Sequence, residues 1–503
     1  MGRKSLPSRT WLLLAWSALI LVIGAGMILS AARPRSEVRA ATPSPTPSES
    51  GDILSSLYFP LIYQNYPVQP TIFGVEVSAW AVSRVITRSV ELRPGWIRVH
   101  GLSWAAVEAE RGVYDWSQVA GLENALAELG SRGQNVSLIV QKTPAWAQKV
   151  PGYSCGPVKE EALDDFAAFM AEAVRRYSQP PYNVRYWEIW NEPDVAYQIA
   201  QPEWPFGCLG DFTDPYFGGG DYAEMLKRVY PAMKAANPGV QVIFGGLLLD
   251  CDPESPPPGK DCSSGRFLEG ALRNGGAAYF DILAYHAYPH WGRLDWDRLT
   301  PPADWDLLHP SWKHRRGILL GKLDFIREVL ARYGVDKPII MNEGGLLCHP
   351  LNPECNEGGA YEEEFRDAQA NYAVRLYVRG WANGLDGVVW YTLNGPGWRQ
   401  GGLLDENQQP RPAYTTVKFL ADLLDGAEFE RALPTGTDLL EAYAFRRGQA
   451  SVYVYWRNDN QVTHLELPAG TTAVYSYRGE RIIPADNRVT VGFGPVIVVV
   501  GVL

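Results

Sequence analysis

Eight short apolar segments alternate with amphipathic segments of helical period between Thr71 and Asp425, and this alternation limits the possible folds most strongly. Strands separated by helices run parallel, because a helical crossover returns the chain to the same end of the sheet. The predicted strands are Ile72–Val77, Trp96–His100, Val136–Gln141, Val184–Trp190, Val240–Phe244, Phe280–Tyr285, Pro338–Met341 and Gly387–Tyr391. Eight such units predict an α/β fold, a (β/α)8 TIM barrel with enlarged loops. The doubly wound alternative lacks a glycine-rich phosphate turn after the first strand.

The segments between these strands carry the boundary residues of helices. Asp115 precedes Trp116 and Ser117 as an N-cap would, and Gly334 and Gly384 stand where helices are expected to stop. The predicted helices include Ser117–Ser131, Glu160–Tyr177, Tyr222–Ala236, Ile318–Tyr333 and Tyr361–Asn383.

The chain changes character after Asp425, where strands alternate with turns and no helical pattern remains. This predicts a barrel over residues 70–426 and a small all-β, sandwich-like domain over residues 427–503. The predicted strands of the second domain include Leu440–Phe445, Ser451–Trp456, Ala473–Tyr477 and Val496–Val502. Such a domain either binds carbohydrate or braces the barrel, and the lack of an exposed aromatic row favours bracing.

The N-terminal segment predicts export. Arg3, Lys4 and Arg9 precede an uncharged apolar run from Trp11 to Ala32. Residues 1–32 therefore form either a cleaved signal or a retained membrane anchor, and both interpretations place the chain outside the cytosol or on the cell surface. Residues 33–69 are rich in Pro, Ser and Thr and predict a linker.

Charge and cysteine spacing exclude several function classes. A net charge of −10 argues against a nucleic-acid partner. The six cysteines contain no C-x-x-C pair, and the histidines near them lack zinc spacing, so neither a metal site nor a cofactor is predicted. Disulfides are expected instead, with Cys251 near Cys262 and Cys348 near Cys355, which leaves Cys155 and Cys208.

Two predicted barrel strands end in glutamate. The fourth strand leads into Glu192, and the seventh leads into Glu343, followed by two glycines. In a barrel, residues at the carboxyl ends of strands surround one cleft. Two carboxyl groups that flank one bond are the equipment for glycoside cleavage, since one protonates the leaving oxygen and the other attacks. A chain with 18 tryptophans also suits a cleft that stacks sugar rings.

The run Trp190-Asn191-Glu192-Pro193, together with Glu343, resembles the clan A (β/α)8 retaining glycoside hydrolases. The resemblance extends from about Thr71 to about Asp425. The run Arg98-Val99-His100-Gly101-Leu102 is especially similar to family 39, and family 5 is the other similar group. The resemblance implies hydrolysis of β-glycosidic bonds in a poly- or oligosaccharide by double displacement.

Chemistry and resemblance together suggest roles for five polar residues. Glu192 is predicted to be the general acid/base, since apolar neighbours such as Trp190 would raise its pKa, and Glu343 the nucleophile. Arg98 is the expected partner of Glu343, because a cation inside a barrel must be paired. His100 shares the parity of Arg98 and should face the same pocket. Asn191 can bind the sugar 2-hydroxyl.

The resemblance implies further contacts. Tyr288 is expected to hold the nucleophile, and His286 to serve the acid/base or the substrate. Trp390, at the end of the eighth strand, resembles the sugar platform of the clan, although core packing is the competing interpretation. Trp146 and Trp398 are weaker platform candidates on loops.

Two departures leave the sugar open. Met341-Asn342-Glu343-Gly344-Gly345 differs from the Thr-Glu pattern common in family 39, and the third strand lacks a histidine that family 5 often carries. A different function class also remains, a catalytically inactive surface protein that binds carbohydrate on the same fold. Motifs of esterases, metalloproteases and nucleotide enzymes are missing from the sequence.

Overall fold

The computed structural model describes residues 71–201, 204–291, 304–351 and 353–503. The predicted signal or anchor at residues 1–32 and the predicted linker at 33–69 lie outside these residues. Within the part that is described, no helix has both the length and the apolar character needed to cross a membrane.

Eight parallel strands form a closed barrel in sequential order, which confirms the predicted fold class. Each strand hydrogen-bonds to the next along the chain, and the eighth closes on the first. The strands are β1 (Phe73–Ser78), β2 (Trp96–Ser103), β3 (Val136–Gln141), β4 (Tyr186–Asn191), β5 (Gln241–Leu247), β6 (Ile282–Ala287), β7 (Ile339–Gly344) and β8 (Gly387–Trp390).

A helix follows each strand and covers the outside of the barrel. The helices are α1 (Val82–Glu91), α2 (Ala120–Ser131), α3 (Leu163–Tyr177), α4 (Gly219–Ala236), α5 (Phe267–Arg273), α6 (Gly317–Arg332), α7 (Glu362–Ala382) and α8 (Pro412–Leu423). The Asp115 side chain accepts from Ser117 N at 3.1 Å, and this cap starts a 3-10 turn that leads into α2. Gly334 and Gly384 have φ of 66° and 73°, values that favour glycine and end α6 and α7.

The barrel interior has an apolar lower layer and a charged upper layer. The lower layer is closed by inward side chains of six strands, namely Trp96, Tyr186, Ile243, Ile282, Ala284, Ile340 and Val389. Above this plug, charged residues of β1, β2, β4 and β7 point inward toward the carboxyl ends of the strands. A charged layer at this depth lies in the region where barrel enzymes carry their chemistry.

The C-terminal region is a two-layer β structure, as predicted. Its strands are β9 (Glu428–Ala432), β10 (Leu440–Arg447), β11 (Ala450–Arg457), β12 (Thr463–Glu466), β13 (Thr471–Ser476), β14 (Arg488–Val491) and β15 (Val496–Val500). Five of them form a sheet in the order β9-β10-β11-β15-β13, and β12 pairs with β14. Alternate residues of β11 face opposite ways: Val452, Val454 and Trp456 join the barrel core, while Tyr453 and Tyr455 face the smaller sheet.

A buried ion cluster joins the barrel to the C-terminal β region. Arg375 and Arg379 of α7 both bind Asp304, at 2.7 and 2.9 Å. Arg379 also binds Asp306 at 3.0 Å and Glu441 of β10 at 2.5 Å. We call these five residues the junction cluster.

All six cysteines form disulfides, as expected, and the near pairs Cys251 with Cys262 and Cys348 with Cys355 are both bonded. Cys155–Cys208 joins the loops after β3 and β4. Cys251–Cys262 closes a turn after β5, and Cys348–Cys355 closes one after β7. The three bonds therefore lie on loops at the same end of the barrel.

Candidate active site

Arg98 is the centre of the charged layer. Its guanidinium, fully buried, donates from Nε and Nη2 to the Glu188 carboxylate at 2.8 Å each. Nη1 donates to Glu76 at 2.5 Å and to Glu343, the predicted partner. Nη2 also donates to Asn191 Oδ1 at 2.5 Å. One cation thus orients three carboxylates and an amide that come from β1, β4 and β7.

Three carboxylates around one guanidinium leave an excess of negative charge. Burial would raise the pKa of Glu188, but the charge and hydrogen bonds of Arg98 outweigh it and lower that pKa. For Glu76 burial dominates, opposed by Arg98 and reinforced by the neighbouring carboxylates, and its pKa rises to about 8. Glu76 therefore carries a proton near neutral pH, while Glu188 stays ionised.

Glu192 stands at the end of β4 in a turned backbone. Trp190 and Glu192 have φ of 69° and 48°, and the turn sends the Trp190 indole outward against Phe166 of α3. The Glu192 side chain is buried, and burial, opposed by Arg98, raises its pKa to about 7. That value suits a group that gives and takes a proton near neutral pH.

His286 lies between the two predicted catalytic residues. Its Nδ1 is 2.9 Å from Glu192 Oε1, and its Nε2 is 3.7 Å from Glu343 Oε2. Burial lowers the pKa of His286 to about 4, so the ring is neutral. The Tyr288 hydroxyl donates to Glu343 Oε1 at 2.5 Å. Both oxygens of Glu343 thus have a donor, one from Tyr288 and one from Arg98.

The two glutamates converge on one space. One oxygen of Glu192, one nitrogen of His286 and one oxygen of Glu343 all lie within 4.8 Å of one another. A similar set consists of Glu76, His100 and Glu343. Either set has enough donor atoms for a cation, but the Arg98 guanidinium already binds Glu76 and Glu343 and repels one.

The remaining predicted contacts divide into two groups. His100 lies beside the carboxylate cluster, with Nε2 3.8 Å from Glu76 Oε1, and its side chain is partly exposed to the cleft. Trp146 instead packs edge-on against Trp104 and donates its indole N–H to the Glu108 carbonyl at 3.0 Å. The structure therefore brings His100, but not Trp146, into contact with the carboxylate cluster.

Trp390 does not fit the predicted role of sugar platform, because its side chain is completely buried. Its indole donates to the Gly401 carbonyl at 2.8 Å and packs near Tyr372 of α7. Core packing, the competing interpretation, is what the structure shows. The next residue, Tyr391, has its ring 6.0 Å from that of Tyr288 and occupies the cleft side instead.

Sequence reasoning missed Glu76, Tyr391 and the role of Glu188. Each had a signal: Glu76 and Glu188 are single acids within apolar strands, and a charge there needs a partner. Strand alternation from Val389, which lies in the barrel interior, places Tyr391 inside and Trp390 outside.

Two further charged residues, Asp194 and Lys322, bind backbone groups near Glu192. Asp194 accepts from the backbone N–H groups of Leu248 and Leu249 at 2.8 Å each. Lys322 of α6 donates to the carbonyl of His286 at 2.8 Å. These contacts tie the ends of β4, β5 and β6 together around the acid.

Comparison with known proteins adds information on the fold. No protein-family model and no curated protein matches the sequence. A solved family 39 glycoside hydrolase from Bacteroides cellulosilyticus WH2 is 21% identical, over 86% of this chain and 81% of that one, with a TM-score of 0.59. This chain shares its fold with glycoside hydrolases.

Two other solved structures support the same statement. A family 39 β-xylosidase from Caulobacter crescentus is 16% identical, covers 88% of this chain and 98% of its own, and has a TM-score of 0.55. A family 30 subfamily 8 xylanase from Clostridium acetobutylicum is 14% identical, covers 86% and 96%, and has a TM-score of 0.53. At these identities the similarity concerns the fold.

Proposed function

We propose that this chain is a retaining glycoside hydrolase that cleaves β-glycosidic bonds of an oligo- or polysaccharide. The observation that carries the proposal is the convergence of Glu192 and Glu343, whose nearest carboxylate oxygens lie within 4.8 Å at the carboxyl ends of β4 and β7. Retaining enzymes hold their two carboxyl groups roughly 5–5.5 Å apart, whereas inverting enzymes need roughly 6.5–9.5 Å for a water.

In the first step Glu343 attacks the anomeric carbon and the bond to the leaving oxygen breaks. Glu192, protonated below about pH 7, gives its proton to that oxygen. Arg98 and Tyr288 orient the Glu343 carboxylate by contacting its two oxygens. Because this orientation exists before substrate binds, little reorganisation is needed during reaction.

In the second step a water attacks the anomeric carbon of the glycosyl–Glu343 ester, and Glu192 takes the proton from the water. The ester bond breaks, Glu343 returns to its ionised form, and the sugar leaves with its original configuration. Neutral His286, 2.9 Å from Glu192, keeps the acid/base oriented in both steps. Asn191, held by Arg98, is placed to bind the sugar 2-hydroxyl.

The test is a screen of 4-nitrophenyl β-glycosides, followed by replacement of the nucleophile. We expect Glu343→Ala to lower turnover by more than about 10⁴-fold. Azide added to Glu343→Ala should restore product of inverted anomeric configuration, because the small anion fills the space of the lost carboxylate. The wild-type product, followed by NMR, should keep its configuration, and an inverted wild-type product contradicts the mechanism.

The control variant is Glu108→Gln, which changes a buried carboxylate of the loop after β2 that accepts a hydrogen bond from the Trp104 indole. We expect this variant to retain wild-type product configuration and most of its activity. If no glycan is cleaved and glycans nevertheless bind, the inactive carbohydrate-binding protein is the correct interpretation.

A further inference from the structure

Two tryptophans are exposed at one side of the barrel mouth. Among the tryptophans that the structure describes, only Trp80 and Trp398 are exposed, with 64% and 49% of their surface open to solvent. An indole left in water forgoes the stabilisation that burial of its apolar face would give. Exposed aromatic residues at a cleft therefore indicate a binding surface.

Both residues follow strands that are neighbours in the barrel. Trp80 lies in the turn after β1, and Trp398 lies in the loop after β8. The N–H of Ser78, just before the first turn, donates to Asn394 Oδ1 of the second loop at 2.8 Å. In an eight-stranded barrel β8 is opposite β4, so the pair lies across the mouth from Glu192.

The loop that carries Trp398 is held firmly by the barrel. The carbonyl of Gln400 accepts from Arg366 at 3.0 Å and from Gln369 at 2.9 Å, both of which belong to α7. The N–H of Gly401 closes the turn on the Trp398 carbonyl at 2.9 Å. The exposure of the indole is therefore a fixed feature and does not come from a loosely attached loop.

Trp398 packs against Tyr288, which in turn contacts the proposed nucleophile. Its ring centroid is 5.9 Å from that of Tyr288, whose hydroxyl donates to Glu343. The Arg399 guanidinium lies 4.7 Å from the centroid of the indole and covers part of it. About half of the Trp398 surface remains exposed to solvent, next to the place where the reacting sugar would bind.

We propose that Trp398, extended by Trp80, is a binding platform for sugar units that follow the cleaved ring on its non-reducing side. In the proposed reaction the leaving group is on the side of Glu192, which protonates it. The retained part of the glycan then extends across the mouth, toward β8 and β1. The apolar face of a pyranose ring can stack on an indole there and cover the exposed surface.

This inference rests on the proposed function and makes it more specific. A substrate with one sugar joined directly to its leaving group has no second sugar that could contact this platform. The preferred substrate is therefore a chain in which at least two linked sugars lie on the Glu343 side of the cleaved bond.

The test uses 4-nitrophenyl β-glycosides with one, two and three sugar units, in the xylose and glucose series. Because the leaving group is the same, only the contacts of the added units differ. Wild-type kcat/KM should rise about 10-fold from one unit to two, as expected for one added stacking contact. Trp398→Ala should remove this gain and leave the one-unit glycoside within about threefold, whereas Trp398→Phe should keep most of the gain.

Two further variants complete the design. Trp80→Ala should lower only the rate with three units. Ile483→Ala removes an apolar side chain that is 90% exposed on the β domain and should change no rate. An equal loss with all three glycosides in Trp398→Ala would show that Trp398 acts through Tyr288, and unchanged rates would show no platform; either result overturns the inference.

Failure of the proposed function gives a different result, because the wild type then cleaves no glycoside of any length. In that case calorimetry with xylo- and gluco-oligosaccharides decides: weaker binding by Trp398→Ala supports the platform, and equal or undetectable binding by both proteins overturns it.

Discussion

In the described part of the chain, the arginines with less than 2% of their surface exposed lie in two places, the mouth of the barrel and the junction with the β region. The two clusters differ in charge balance. At the mouth, Arg98 alone faces three carboxylates. At the junction, Arg375 and Arg379 face Asp304, Asp306 and Glu441. In each cluster the guanidinium groups have carboxylate hydrogen-bond acceptors, but the excess of carboxyl groups over arginines is larger at the mouth.

The difference separates a reactive site from a structural one. The mouth also contains Glu192. Burial there raises the pKa of Glu76 to about 8 and the pKa of Glu192 to about 7, although Arg98 opposes both shifts. At the junction, although burial opposes it, the two arginines hold the pKa of Asp304 well below its usual range, and burial, opposed by Arg379, raises the pKa of Asp306 only to about 6. Chemistry needs groups that exchange protons near neutral pH, and domain attachment does not.

The largest expected effect comes from breaking the mouth cluster with Arg98→Met. Three buried carboxylates lose their only shared cation, so we expect a loss of about 3–5 kcal/mol in the free energy of unfolding. The kcat/KM of the folded protein should also fall by about 100-fold or more, because the Glu343 carboxylate is no longer oriented. Urea denaturation and initial rates measure the two effects, and an active Arg98→Met protein would refute this description of the mouth.

The matching change at the junction is Arg379→Met. It removes the contacts to Asp304, Asp306 and Glu441, so a similar loss of about 3–5 kcal/mol is expected. The kcat/KM of the folded fraction should stay within about threefold of wild type. A large fall in kcat/KM without loss of stability would mean that the junction, too, belongs to the catalytic machinery.

A smaller effect concerns the alkaline limb of the pH profile. The raised pKa of Glu192 keeps its proton in place up to about pH 7, so kcat/KM should fall about tenfold per pH unit above that value. Glu192→Gln cannot lose a proton there. With a 2,4-dinitrophenyl leaving group, which needs no protonation, this variant should remain active and show no limb near pH 7.

The last expected effect is the pH dependence of stability contributed by Glu76. Its folded pKa of about 8 is above the ordinary value of 4.5, so this stabilisation is present below about pH 4.5 and is lost as pH rises toward 8. Glu76→Gln removes that loss. Thermal melts at several pH values should show a weaker decline for the variant than for wild type, and parallel declines would disprove a proton on Glu76.

Much of the architecture was predictable from periodicity. The eight apolar runs, the glycines at 334 and 384 and the change of pattern after residue 425 all correspond to elements of the structure. Glu192, Glu343 and Arg98 are predicted because polar residues at the ends of buried strands converge in a barrel, and His286 and Tyr288 are predicted from the resemblance to clan A. The contacts among them agree with the expectation, and their roles remain predictions.

What escaped prediction depends on three-dimensional details. Strand parity assigns Glu188 to the interior, but only the structure shows that it shares Arg98 with Glu76 and Glu343. The left-handed backbone at Trp190 reverses the orientation that simple alternation would give it. The junction cluster joins residues that are far apart in sequence, so no local sequence pattern predicts these contacts.

The Cys155–Cys208 bond has a practical consequence for anyone who produces this protein. The N–H of Gly207, adjacent to this bond, donates to the Asn191 carbonyl at 2.6 Å, so the covalent link supports the chain beside Glu192. A reducing cytoplasm keeps cysteine thiols in the reduced form, so this disulfide is not expected to form there. Protein made in such a host would lack this covalent link beside its cleft. If that protein were inactive, the missing disulfide would have to be examined before any conclusion about Glu192 or Glu343. Expression with secretion into an oxidising compartment is therefore the appropriate starting point for enzymology.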